Sequence, residues 1–364
     1  MLRKRFLALA FIIGITAGRV QAGEDLAPAA QWIPQDAAIT LEISNPKPLL
    51  ELAIGPKTVQ AVTSHPLWKL ATLTPRFQQL RQGIDYLESR LDTDWQSGLE
   101  KLLGGGVILA ATPTGASLLV VDSRDAKLLG RLHEVARQFA ETQSSKKSGS
   151  NRVKSSQHQG VTVWSFGPND YHAVVGSRLM VSNRREMLLA ALALRSAGGK
   201  GSLGQSAAYQ QAMAAAGSRV PVRMFVDLAV LRQRTPLGKA LEREENPMAA
   251  LLFGGLADVL RQSQWLALSL DVQGPRLLLE ATAEGRASSA QGAAAFAWPH
   301  DPAQGAMPLL SVPRQLASLS FYRDLHGFYA AKDKLFPERT SGLIFFENMM
   351  GIFFSGRDLT EEVL

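Results

Sequence analysis

Apolar and polar positions repeat along this chain with two different periods. Alternation with a period of two, or a short apolar run between turn residues, predicts strands at Ala38–Ile43, Gly106–Ala111, Ala116–Val121, Val161–Phe166, Tyr171–Val175, Leu179–Ser182, Val222–Val226, Trp265–Val272 and Arg276–Thr282. Apolar residues three and four apart predict helices over Thr74–Arg90, with Leu80, Ile84, Leu87 and Leu91 on one face, and over Ala126–Thr142. A further helix is predicted to run to Leu194, opened by Asn183 as N-cap with Glu186 completing a capping box. The pair Trp265–Val272 and Arg276–Thr282 meets at Gln273-Gly274-Pro275, a turn signal. Hairpins beside helices, without strict strand–helix alternation, predict an α+β fold with mixed or antiparallel sheets and packed helices.

A short pattern recurs. Ile33-Pro34 precedes Ala38–Ile43, Ser44-Asn45 and Leu49-Leu50; Val220-Pro221 precedes Val222–Val226, Asp227 and Leu228–Leu231; Val312-Pro313 precedes Leu316–Tyr322, Asp324 and Leu325. Each reads as proline, strand, Asn/Asp cap and helix, which suggests internal duplication. Gln143–Gln159, rich in Ser, Lys and Gln, is expected to be an exposed loop, and Gly285–Met307 is the candidate boundary. The expected organisation is a signal peptide at 1–22, an α+β domain at 23–284, a linker at 285–311 and an incomplete repeat-like unit at 312–364. Asp358 caps a nascent helix that stops on Val363 and Leu364 without a closing glycine or polar tail, so the natural chain is expected to extend further. On that reading Val312–Leu364 packs poorly or forms a loosely attached subdomain.

The N-terminus changes the picture most. Arg3-Lys4-Arg5, the apolar segment Phe6–Ala17 and the small-x-small sequence Val20-Gln21-Ala22 have the form of a secretory signal, with cleavage expected after Ala22. The apolar segment is too short to span a hydrocarbon core of ~30 Å. Export to the periplasm, cell surface or medium follows as the expected localisation. The formal charge of +7 includes Arg3, Lys4, Arg5 and Arg19, which leaves +3 for the mature chain. That is too little for a nucleic-acid partner, whose footprint needs cations gathered on one face. No second apolar run reaches spanning length, since Glu347 and Asn348 interrupt Leu343–Phe354. The chain has no cysteine, which removes disulfides, thiolate metal ligands and a cysteine nucleophile.

The motifs that resemble active sites are each incomplete. His133-Glu134 opens a zinc-protease pattern, but Arg137 stands where the second imidazole belongs, so both are expected on a helix surface. Asp92-x-Asp94 begins like a calcium loop and then places Ser97 and Leu103 at the turn-glycine and bidentate-glutamate positions; Asp94 is expected to cap a helix instead. Gly104-Gly105-Gly106 ends a helix, whereas a phosphate cradle opens one. Gly198-Gly199-Lys200-Gly201-Ser202 lacks the hydroxyl directly after its lysine and is expected to be a loop. His65, His133, His158, His172, His300 and His326 show no metal spacing, and no G-x-S-x-G elbow occurs. Glu242-Arg243-Glu244-Glu245 is expected to be a solvated helix face; Phe345, Phe346, Phe353 and Phe354 are expected in the core, the alternative being an unpaired cluster that serves as a partner surface. No metal and no cofactor are predicted, and catalytic residues stay unassigned.

Leu179-Met180-Val181-Ser182-Asn183-Arg184-Arg185, the Leu/Ala-rich helix after it, Ser202-Leu203, Ala207-Ala208-Tyr209 and Val226-Asp227-Leu228 form a familiar cadence. Together with Ile33-Pro34-Gln35-Asp36-Ala37, it resembles large exported bacterial proteins built from a domain of unknown function. The resemblance implies an α+β scaffold and brings no catalytic residues. The expected function is non-enzymatic binding or scaffolding after export, with a protein partner or apolar ligand of unassigned identity. The alternatives are an envelope hydrolase with a dispersed site and a carrier of apolar ligands.

Overall fold

A computed structural model describes residues 26–148, 153–240, 247–273, 276–284, 292–299, 301, 322–336, 341–357 and 362. The chain divides into two compact units. The first holds the described residues up to Asp227 together with Ala267–Thr282, and the second holds Leu228–Leu266 and the described residues from Ala283 onward.

In the first unit, β1 (Ile39–Ile43) is followed by α1 (Lys47–Ile54), α2 (Pro56–Ser64), α3 (Pro66–Thr72), α4 (Pro75–Leu91) and α5 (Trp95–Leu103). A proline stands in the first turn of each of α1 to α4, where its missing N–H costs nothing. Thr74 caps α4 and Asp94 caps α5 with side-chain oxygens that accept from Phe77 N and Ser97 N, the latter as expected. Asn45 does not cap α1; Pro46 occupies the N-cap position. The hairpin β2 (Gly106–Ala111) and β3 (Ser117–Asp122) comes next, then α6 (Ala126–Ser148). The meander β4 (Lys154–His158), β5 (Val161–Gly167), β6 (Asp170–Val175) and β7 (Arg178–Ser182) leads to α7 (Arg185–Ser196), α8 (Ala207–Ala216) and β8 (Val222–Asp227).

The second unit contains α9 (Leu228–Arg234), α10 (Leu237–Ala240) and α11 (Pro247–Gln262). The hairpin β9 (Trp265–Gln273) and β10 (Arg276–Ala283) then returns the chain to the sheet, and α12 (Leu325–Ala330), α13 (Lys332–Leu335) and α14 (Ser341–Phe353) follow. Phe328, Tyr329 and Phe336, from the stretch expected to pack poorly, form a buried cluster with Ala250 and Leu251 of α11. Asp324 caps α12 through Gly327 N.

The strands form one ten-stranded antiparallel sheet in the order β10-β9-β8-β1-β2-β3-β7-β6-β5-β4. At its centre β1 pairs antiparallel with β8, from Ile39↔Val226 to Ile43↔Val222. Each central strand is followed in the chain by helices and then by a hairpin that lies beside it, β2–β3 next to β1 and β9–β10 next to β8; beyond β3 the sheet continues through β7, β6, β5 and β4. The recurring segments at Ile33-Pro34 and Val220-Pro221 stand before the two central strands, β1 and β8. The third occurrence falls mostly within 302–321, outside the described residues, as do the signal segment 1–22 and most of the linker 285–311.

The pleat sorts side chains between two helical layers. Leu119, Val121 and Leu179 face α4, α5 and α6 and join Leu91, Leu102, Leu128, Leu129 and Leu132 in one core cluster. The alternate positions, Leu118, Val120 and Met180, are buried on the opposite side, where α7 packs on β3, β6 and β7 and α8 packs on β8. There Tyr209 Oη donates to Glu42, which also accepts from Arg223 across the central strand pair.

Two expectations are corrected. Within the stretch expected to be a loop, residues 143–148 continue α6 and 154–158 are a strand; β4 is the sheet edge, with mostly exposed polar side chains, held by its ladder to β5 and by Gln157 Nε2, which donates to Thr162 Oγ1 (2.8 Å). Asn183 is not the cap of α7, whose N-cap position is Arg184. Its side chain instead accepts from Ser117 N and donates to Gly115 O, tying the β2–β3 turn to the end of β7.

Candidate functional site

The apolar stripe of α4 faces two others. Ile84, Leu87 and Leu91 meet Leu99 and Leu102 of α5 and Leu132, Val135 and Ala136 of α6 around a cavity of about 500 Å³. Leu91, Leu102 and Leu132 are buried and form its floor, while Tyr86, Trp95 and Phe139 are exposed around its mouth. Gly83 and Gly98 line it too, and a glycine on a helix leaves the adjoining space unfilled. The left-handed residue Asp92 (φ 53°) ends α4, and Asp94 starts α5, so the chain doubles back tightly beside the cavity.

The two acids at its rim are already engaged. Glu88 Oε1 accepts from Trp95 N (3.0 Å) and Asp94 Oδ1 accepts from Ser97 N (2.9 Å). The Ser97 amide holds the Asp94 carboxyl below the usual carboxylate range. Both acids therefore serve the turn into α5, and the walls present hydrocarbon. Such a surface binds by excluding water.

A second cavity of about 480 Å³ is polar, with Asp36, Arg184 and Glu186 among its lining residues. Its hydroxyls, Thr112 and Thr114, bond to one another (2.9 Å), and no histidine lines it. A hydrolytic site needs a nucleophile within reach of a base.

The third candidate corrects the expectation for His133, which is buried at 2% exposure and does not lie on the helix surface. It sits on α6 against the sheet, edge-on to His172 of β6 with ring centres 5.5 Å apart. Trp164 and Phe166 close around the pair. Among the described residues none of the four ring nitrogens has a hydrogen-bond partner; Asp170 Oδ1 lies 3.4 Å from His172 Nδ1 without the alignment of a hydrogen bond. Burial, then His172, then Arg137 push the His133 imidazole down from its ordinary 6.5 to about 2. Glu134, one residue on, pairs with Arg137. The sequence did carry a signal for His133: it falls four residues after Leu129, on the buried stripe of α6.

The remaining singled-out residues are dispersed. His65 caps α3, His158 ends β4, His326 is exposed on α12, and His300 lies outside the described residues. Gly105 and Gly106 make the helix stop: a Cβ on Gly105 would meet Asp122 O at 2.4 Å, and Gly106 has φ +116°. Phe345, Phe353 and Phe354 are exposed, contrary to the core expectation, and the buried aromatic cluster of this region is formed by Phe328, Tyr329 and Phe336; the side chain of Phe346 lies outside those described. Residues 242–245 lie outside the described residues. Among the described residues, no group of three or more His, Asp or Glu could hold a metal ion.

A family model described as "Protein of unknown function (DUF3352)" matches residues 6–300. The chain belongs to this family. Among solved structures it is similar to crystal forms III and I of TP0453, with 10% identity in each case. The alignment covers 72% of this chain and 81% of that chain for form III, at a TM-score of 0.32, and 71% and 79% for form I, at 0.31. Among curated proteins no match is found.

Proposed function

We propose that this chain is an exported, non-enzymatic binding protein whose ligand is apolar and occupies the cavity between α4, α5 and α6. The observation that carries the reading is the cavity itself: an open-mouthed cleft of about 500 Å³ walled by hydrocarbon, with Glu88 and Asp94 already committed to the turn into α5. That volume lies within the ~300–1,000 Å³ of small-molecule sites and suits a single hydrocarbon chain or a compact apolar molecule. The hydrolase alternative has no converging nucleophile and base in its favour among the described residues.

The test uses N-phenyl-1-naphthylamine, an apolar dye that brightens when it leaves water. The wild-type chain is expected to bind it saturably. Ala136→Phe, which adds a ring to the cavity wall, is expected to weaken binding about tenfold or more, the equivalent of ~1.4 kcal/mol, with the circular dichroism spectrum unchanged. Equal binding by a correctly folded variant would remove the cavity from the reading.

Export rests on Arg3-Lys4-Arg5, Phe6–Ala17 and Val20-Gln21-Ala22. Intact mass of the protein recovered from the producing cell's envelope or medium is expected to begin at or near Gly23. Recovery of the Met1 form from the cytoplasm would refute it.

A further inference from the structure

The helices α1, α2 and α3 contain no buried residue, although they carry many apolar ones. Leu67 and Leu70 are each 64% exposed and Leu73 is 72% exposed; Leu52, Val59 and Val62 are exposed beside them. A solvent-facing helix normally presents polar residues and turns its apolar stripe to a core. Here a run of four proline-initiated helices, through the start of α4, leaves that stripe uncovered.

Charge identifies the cover. Over residues 47–81 the cations Lys47, Lys57, Lys69, Arg76 and Arg81 face a single carboxylate, Glu51. Lys47 lies 3.9 Å from Glu51, and Arg81 pairs with Asp85 at 3.4 Å. Lys57, Lys69 and Arg76 have no acidic partner among the described residues. Exposed leucines beside unpaired cations, with Trp68 and Phe77 stacked edge to face at 5.3 Å, are the composition of a helix that lies in the interface of an anionic bilayer. A second copy of this chain would bring the same positive charge against itself. Among the described residues no helix is long and apolar enough to cross a membrane, so contact is by lying on the surface.

We infer that residues 47–81 form a docking surface for anionic membranes. This inference stands on the surface of these helices and is independent of what fills the cavity.

The absence of cysteine makes a local test possible. Leu70→Cys in the full chain, labelled with a nitrobenzoxadiazole dye, is expected to brighten and shift to the blue with phosphatidylglycerol vesicles. It is expected to respond far less to pure phosphatidylcholine vesicles or in high salt. The same dye at Ala215→Cys, exposed on α8, is expected to stay unchanged, which separates this surface from any effect of the N-terminal apolar segment. Adding Lys57→Glu and Lys69→Glu is expected to weaken the response about tenfold or more. No blue shift with anionic vesicles, or an equal shift with both vesicle types, would overturn the inference. So would a shift without vesicles that grows with protein concentration, which would identify a second copy as the cover.

Discussion

Replacing Arg178 by Met is expected to be among the most damaging single changes in the chain, at about 3 kcal/mol. Arg178 is 1% exposed at the start of β7, directly across the ladder from Asp122 of β3. Its Nε donates to Asp122 Oδ1 (2.6 Å) and its Nη2 to Asp122 Oδ2 (2.8 Å), a two-pronged pair. Nη2 also donates to Ala27 O (2.8 Å), and the guanidinium lies 4.4 Å from the ring centre of the buried Trp32. One side chain thus ties the segment before β1 to the middle of the sheet. Met keeps most of the volume, so the loss reads the stranded carboxylate and the missing stacking rather than a void. Arg178→Lys retains the charge but loses the fork and the flat stack, and is expected to recover only part of the stability. Arg178→Met combined with Asp122→Leu is expected to be less costly than Arg178→Met alone, because no half-buried carboxylate is left without its partner. Urea denaturation of the three variants checks the ranking. A loss under about 1 kcal/mol for Arg178→Met would place the pair with ordinary surface contacts.

Elements with a strong face were legible from the residues alone. β2, with Ile108 and Ala110 buried in alternation, and α4, with its stripe from Leu80 to Leu91, begin and end within a residue of the expected bounds. The same reasoning missed β4 because Lys154-Ser155-Ser156-Gln157-His158 has no apolar face; an edge strand held by its ladder and polar side chains leaves no mark in hydropathy. It placed Asn183 at a helix start because the residue type suits a cap, but the side chain was claimed by a strand turn 66 residues earlier in the chain. The cavity was illegible for a different reason. Each of its three walls reads as core-facing leucine and valine, and only the spacing of the packed helices decides whether the gap between them is filled. His133 and His172 likewise looked unrelated in sequence, since their meeting depends on α6 lying over β6.

That meeting makes stability depend on pH, with a sign fixed by burial. The His133 imidazole titrates near 6.5 when the chain is unfolded and near 2 when it is folded. Below the unfolded value, the unfolded chain binds a proton that the native chain refuses. Native stability is therefore full above about pH 6.5 and falls by up to ~1.4 kcal/mol for each pH unit below it. Down to about pH 4.5 the accumulated loss from this one group is ~2.7 kcal/mol. The charged groups around it do not relieve the cost: Arg137 on its own helix is repulsive, and Glu134 is engaged with Arg137. On the facing strand, Asp170 stands beside His172. His133→Phe keeps an aromatic ring in the site and removes the proton acceptor. Its unfolding free energy, measured by urea denaturation across that range, is expected to fall less steeply than wild type, so that between pH 6.5 and pH 4.5 the variant gains on wild type by about the loss given above. Parallel curves would mean that the imidazole takes its proton without leaving the core, and that the contact between α6 and β6 opens more easily than its burial implies.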